Sequence, residues 1–209
     1  MTTCTTTPSS ATGHAVLARP GGLAEALTAA TASIDTAQVE LAGTLDYATT
    51  LGRSLAECGL SDHAALLAAV AAGLAEVRAR CHLVADDYLP ELEHTLDTGV
   101  LIAPTPQQAR AFLADVRTGL DVVRGELLDI RGMLRGQQQR IATHLLGAVL
   151  IDRIESLDRR LAGVWLPVAA ARGLADQQIR MVALAGAPDA MDAALRVLAV
   201  EGREDVPHA

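Results

Sequence analysis

From about residue 21 onward, apolar side chains recur at intervals of three and four, the signature of helices with one buried face. In the first stretch they are Leu27, Ala30, Ile34, Ala37, Leu41, Leu45, Ala48, Leu51 and Leu55. Gly59 follows, suited to the left-handed position that ends a helix, with Leu60 as its hydrophobic contact and Ser61 as cap of the next helix. A connection this short predicts an antiparallel neighbour. The second stretch, Leu67, Val70, Leu74, Val77, Cys81, Val84 and Tyr88, alternates three and four as a heptad seam does. Pro90 removes a backbone donor and predicts a kink or restart, after which Leu92 and Leu96 continue to an end at Gly99.

Thr105-Pro106-Gln107-Gln108 reads as a helix start, with Thr as cap and Pro in the first turn. The third stretch carries Leu113, Val116, Leu120, Val123, Leu127, Ile130 and Leu134, and a turn is expected at Gly136 and the three glutamines after it. The fourth carries Leu150, Ile154, Leu157, Leu161 and Val164, with a kink expected at Pro167 and helix resuming through Ile179 and Val182. Pro188 opens a last short helix with Met191, Leu195 and Leu198, closed by Gly202.

The expected fold is all-α: an elongated bundle of two long antiparallel helical hairpins plus a short C-terminal helix. Its parts are a disordered tail (1–20), a first hairpin (21–97), a linker (98–105), a second hairpin (106–185), the terminal helix (186–202) and a final tail (203–209). A helix of roughly 36 residues is about 54 Å long, hence the elongation. A shift of 77 residues lays Gly59 over Gly136 and Tyr88-Leu89-Pro90 over Trp165-Leu166-Pro167, which suggests a duplicated hairpin.

Composition narrows the function more than it names one. Half the residues are hydrophobic but only 2% are aromatic, so the core is aliphatic. There is no Lys and no Asn, and all 17 basic residues are Arg, which points to a high-GC genome. Without Lys there is no Schiff-base lysine and no phosphate-loop lysine. The net charge of −8 argues against nucleic acid and against an anionic membrane surface. Cys4, Cys58 and Cys81 are too few and too scattered for a disulfide framework, which suits a reducing, cytoplasmic setting. The N-terminus has no signal-peptide pattern. The longest stretch free of strongly polar residues, Ala64 to Ala75, is too short to span a bilayer.

Two groups of residues stand out as candidate surfaces. Arg110, Arg117, Arg124 and Arg131 are spaced by seven and form one stripe beside the third seam. The stripe fits either a surface for an acidic partner or flank pairing with acids on a neighbouring helix. The second group is Tyr88 with Pro90 and Trp165 with Pro167, where kinks could open a pocket. Glu91 and His94 have the spacing of one quarter of a di-iron carboxylate site, but no second copy exists, and none of the six histidines forms a His-x-x-x-His pair. No nucleophile elbow or Cys-x-x-Cys occurs, so the sequence designates no catalytic, cofactor or metal residue. His144 is expected to lie partly buried near the fourth seam.

The Gly59-Leu60-Ser61 turn and the Ala-rich composition resemble the helical-hairpin proteins of high-GC actinobacteria, a broad class that includes the WXG-type substrates of type VII secretion. The resemblance implies a small helical hairpin that could be exported without a leader. The chain departs from the family at its diagnostic positions. Its only Trp, Trp165, is followed by Leu166-Pro167, and Tyr88 and Tyr47 are followed four residues on by Leu92 and Leu51 rather than by an acid. No site residue is carried over. The sequence therefore favours a non-enzymatic interaction or scaffold protein that self-associates or captures a protein partner through its seams. The alternatives are a leaderless secreted hairpin protein and a ligand- or metal-binding bundle.

Overall fold

The computed structural model describes residues 21–103, 105–144 and 147–186, and these are helical apart from short connections, with no strand among them. Helix α1 spans Gly21–Glu57 and α2 spans Ser61–His82. A π-helical segment, Leu83–Tyr88, leads directly into α3, Leu89–Ile102. Helices α4, Pro106–Ala142, and α5, Ala148–Ala185, complete the described chain. The proposed terminal helix at 186–202 and both tails fall almost wholly outside the described residues.

The helix ends follow from local chemistry. Gly59 takes φ +77°, its N–H donates to Ala56 O and the Leu60 N–H donates to Leu55 O. That pair of bonds closes the last carbonyls of α1 as the sequence leads one to expect. Ser61, however, is not the cap. Leu60 holds that position, its carbonyl accepting from the Ala64 N–H, so the helix begins one residue earlier than a serine cap requires. At α4 the expectation is met: Thr105 is extended, and its hydroxyl accepts from the Gln108 N–H at 3.3 Å.

Two glycines expected to end helices do not. α3 continues past Gly99 to Ile102, and a Cβ at Gly99 would overlap the Phe112 ring from α4. This glycine provides space, not a left-handed turn. α4 likewise runs through Gly136 and Gln137 to Ala142, so the helix ends later, at Thr143 and His144. The linker expected over 98–105 shrinks accordingly to the residues after Ile102.

Neighbouring helices run in opposite directions. Along α1 and α2, Gly52 lies against Leu67 while Gln38 donates to the Cys81 carbonyl. Along α1 and α5, Gly22 meets Leu174 and Glu40 accepts from Ser156. On the α4 side, Gly99 and Leu92 of α3 meet Phe112 and Gly119, while Arg117 and Arg131 pair with Asp176 and Asp158 of α5.

One core runs through all of these helices and holds most of the residues read as seams, while Leu113 and Val182 fall in a second, smaller cluster with Ala109, and Tyr88 is only half-buried. Leu67, Val70, Leu74, Val77, Cys81 and Val84 are buried, as are Val116, Leu120, Val123, Leu127, Ile130 and Leu134, and Leu150, Ile154, Leu157, Leu161 and Val164. A buried Leu or Val contributes about 1.5–3 kcal/mol, so these rows dominate the stability. α1 differs at two points: Leu51 is only half-buried, and Leu45 gives up its place in the row. The buried position between Leu41 and Ala48 is Thr44, not Leu45. Its hydroxyl donates to the Glu40 carbonyl at 2.9 Å, so the polar atom is satisfied where it is buried.

Candidate functional site

Between Cys81 and Leu96 the buried row shifts by one residue. A heptad continued from Val84 would bury Tyr88 and Glu91. The structure buries Ala85, Leu89 and Leu92 instead, and leaves Tyr88 half-buried and Glu91 exposed. One extra residue rotates an α-helical face by about 100°. The π-helical segment absorbs it by widening the turn, and the Leu89 N–H donates to Val84 O, five residues back. Pro90 follows as the second residue of α3, immediately after the widened turn.

Beside this widening, between α3 and α4, lies a half-open cavity of about 300 Å³. Tyr88, Leu92, Val116 and Val122 make it mainly apolar. Gly119 lies at its edge, and a Cβ there would press on Leu92. The charged residues lining it are Glu91 and Asp115, both acidic.

The other aromatic-Leu-Pro site is built differently. Helix α5 runs unbroken through Pro167, with Val164, Val168, Ala171 and Ala175 buried at regular heptad steps. Leu166 points outward and is 71% exposed. Trp165 lies under the Arg124 guanidinium, 4.7 Å from the ring centroid. The two halves of the expected kink pocket are thus not brought together: Tyr88 and Pro90 adjoin a cavity, while Trp165 and Pro167 belong to the α4–α5 flank. The repeat read from these motifs loses its two distinguishing matches. Gly59 ends a helix and Gly136 does not, and Leu89 is buried where Leu166 is exposed.

The arginine stripe is turned toward α5. Arg131 donates through Nε and Nη2 to the two carboxylate oxygens of Asp158, at 2.9 and 3.2 Å, and Arg135 joins at 3.4 Å. Partial burial alone would raise the Asp158 pKa, but the hydrogen bonds and charges of Arg131 and Arg135 outweigh it and hold the carboxyl below its ordinary value. Arg117 Nε lies 3.0 Å from Asp176 Oδ1, an ion pair without hydrogen-bond alignment. Asp176 also meets Arg172, which donates to Asp121 at 2.6 Å. Only Arg110 of the four is fully exposed. Three of the stripe's members therefore have partners within the chain.

Other polar groups are dispersed. His63 and His144 meet edge to face with ring centroids 5.9 Å apart, a pairing across the ends of α2 and α4 that spacing along the chain could not reveal. His144 is exposed, not partly buried as expected. Among the described residues no group of three or more His, Cys, Asp or Glu is placed to hold a metal ion. Burial pushes the Cys81 thiol up to about 11, so it packs as a small apolar side chain. No helix among the described residues is long and apolar enough to cross a membrane.

The cavity was only partly foreseen. Tyr88 and Pro90 mark it in the sequence, but Asp115, Gly119 and Val122 come from the facing helix and carry no local signal. The readable clue is the one-residue skip between Val84 and Leu89. Compared with family models, with curated proteins and with solved structures, the chain matches none.

Proposed function

We propose that the protein is a non-enzymatic helical interaction or scaffold protein, an elongated bundle of two long antiparallel hairpins that joins a second copy or a protein partner. The observation that carries this reading is on the outer surface of α1 and α5. Val39 and Leu166 are 76% and 71% exposed, the most exposed large apolar side chains described. Val39 lines a shallow α1–α5 groove with Asp35, Thr36, Glu40 and Arg160, and Leu166 lies three residues along α5 from Gly163, which lines an adjoining hollow that shares Thr36 and Arg160. Apolar residues held this far into water along adjoining helices suit a helix-to-helix contact. The seams themselves are consumed inside the chain, so contact with a partner is assigned to these outer faces.

Native mass spectrometry of untagged protein from its own host tests the reading. A multiple of 21.7 kDa, or a mass that includes a second polypeptide, is expected. Val39→Glu with Leu166→Glu should return the chain to a folded monomer. A bare monomer before mutation would overturn the proposal.

A further inference from the structure

We infer that the cavity beside the π-helical segment binds a small amphiphilic cation, an apolar body carrying an ammonium group. This goes beyond the interaction reading and does not rest on it. The cavity's volume of about 300 Å³ falls at the small end of ligand sites, which are typically apolar with a few placed polar groups. Its walls have that character: Leu92, Val116 and Val122 are aliphatic and Tyr88 supplies an aromatic ring. The charge is one-sided. Glu91 reaches it from α3 and Asp115 from α4, and no basic residue lines it. Neither carboxylate forms an ion pair with a described residue, whereas Asp121, Asp158 and Asp176 on the opposite flank are all paired with arginines. An anion would meet two carboxylates, and a neutral ligand would leave them unused. An ammonium group would sit between them with its apolar part against the aliphatic wall, near a ring that attracts cations.

The second support is the backbone. A π-helical turn inside a long helix is uncommon and often accompanies a functional site. Here it sits directly beside the cavity, and it places Leu89 and Leu92 in the core while Tyr88 and Glu91 are left to line the opening.

The test uses the full chain and three probes of one shape: 4-phenylbutylammonium, 4-phenylbutanol and 4-phenylbutyrate, followed by methyl chemical shifts and calorimetry. The ammonium should bind saturably, more tightly than the alcohol, and the carboxylate should bind least. Glu91→Gln with Asp115→Asn, both at exposed positions, should weaken the ammonium about three- to tenfold and leave the alcohol unchanged. Val122→Trp, from a side chain 47% exposed, should fill the cavity and abolish binding of both without loss of helicity. Equal affinity for ammonium and alcohol would overturn the cation assignment. Absence of saturable binding by any probe, or binding unchanged in Val122→Trp, would overturn the site.

Discussion

Tyr88-Leu89-Pro90 and Trp165-Leu166-Pro167 are the same pattern of residue types inside two long helices, yet one straddles the end of a π-helical widening beside a cavity and the other lies in an unbroken α-helix. Proline does not explain the difference, because both have it. Register does. On α5 the buried residues step by three and four straight across Pro167, from Leu161 to Ala175. On the α2–α3 path the buried row falls one residue late after Val84, and a heptad cannot accommodate that without rotating its face out of the core. A helix thus tolerates proline when its seam is in phase, and widens when the seam is out of phase.

Single-residue deletions test this most severely. Removing exposed Arg159, whose side chain bonds only its own helix, would rotate Leu161, Val164, Val168 and Val182 out of the core. The expected loss is roughly 6 kcal/mol or more, comparable with the whole stability of a domain. Removing exposed Asp87 should instead convert the π-helical segment to α-helix and keep Leu89, Leu92 and Leu96 buried, with a change within about 1 kcal/mol. Urea melts of both proteins decide the matter; an unfolded Asp87 deletion would refute the register account.

The two leucines give the next largest contrast. Leu89→Asp buries a carboxylate at a position with no exposure and should cost several kcal/mol, on the order of 3–5. Leu166→Asp should stay within about 0.5 kcal/mol. Leu74→Asp and Leu120→Asp, both fully buried, should behave like Leu89→Asp, and full helicity with unchanged Tm in either would undo the assignment of the core rows. Glycines divide in the same way. Gly163→Ala enters open space in a helix and should gain about 0.5–1 kcal/mol, whereas Gly99→Ala must displace the Phe112 ring and should lose about 1–3 kcal/mol in thermal melts.

The electrostatic effect is also expected to be small. The Asp158 pKa is lowered in the folded state, so its contribution is present above the ordinary carboxylate value near 4 and fades as pH falls through the folded value. The stability difference between the native chain and Asp158→Asn, within about 1 kcal/mol at neutral pH, should therefore shrink in acid. A difference that persists at pH 2 would assign the effect to packing.

Much of the architecture is legible in the sequence because aliphatic periodicity is direct evidence of burial. The rows of α2, α4 and α5, the Gly59 turn and the Thr105 cap all follow from it. Glycine is where reading fails. Gly59 is used for a left-handed conformation, Gly99 for space and Gly136 for neither, and nothing in the local sequence separates those uses. A heptad extended from Val84 places Tyr88 in the core, whereas the extra residue in the π-helical segment leaves it half-buried. The arginine stripe and its pairing with acids on a neighbouring helix are legible, but the identity of those acids, Asp158 and Asp176, is not, because they lie far along the chain on α5.

The hydrogen bond from Ser156 to Glu40 joins residues 116 positions apart, whereas α1 meets α2 and α4 meets α5 across short connections. Contacts between sequence neighbours form at little loop-closure cost, and distant ones wait. The α1–α5 seam is therefore expected to close last in folding. Substitutions along it, at Glu40, Ser156 or Arg160, should speed unfolding while leaving the folding rate nearly unchanged.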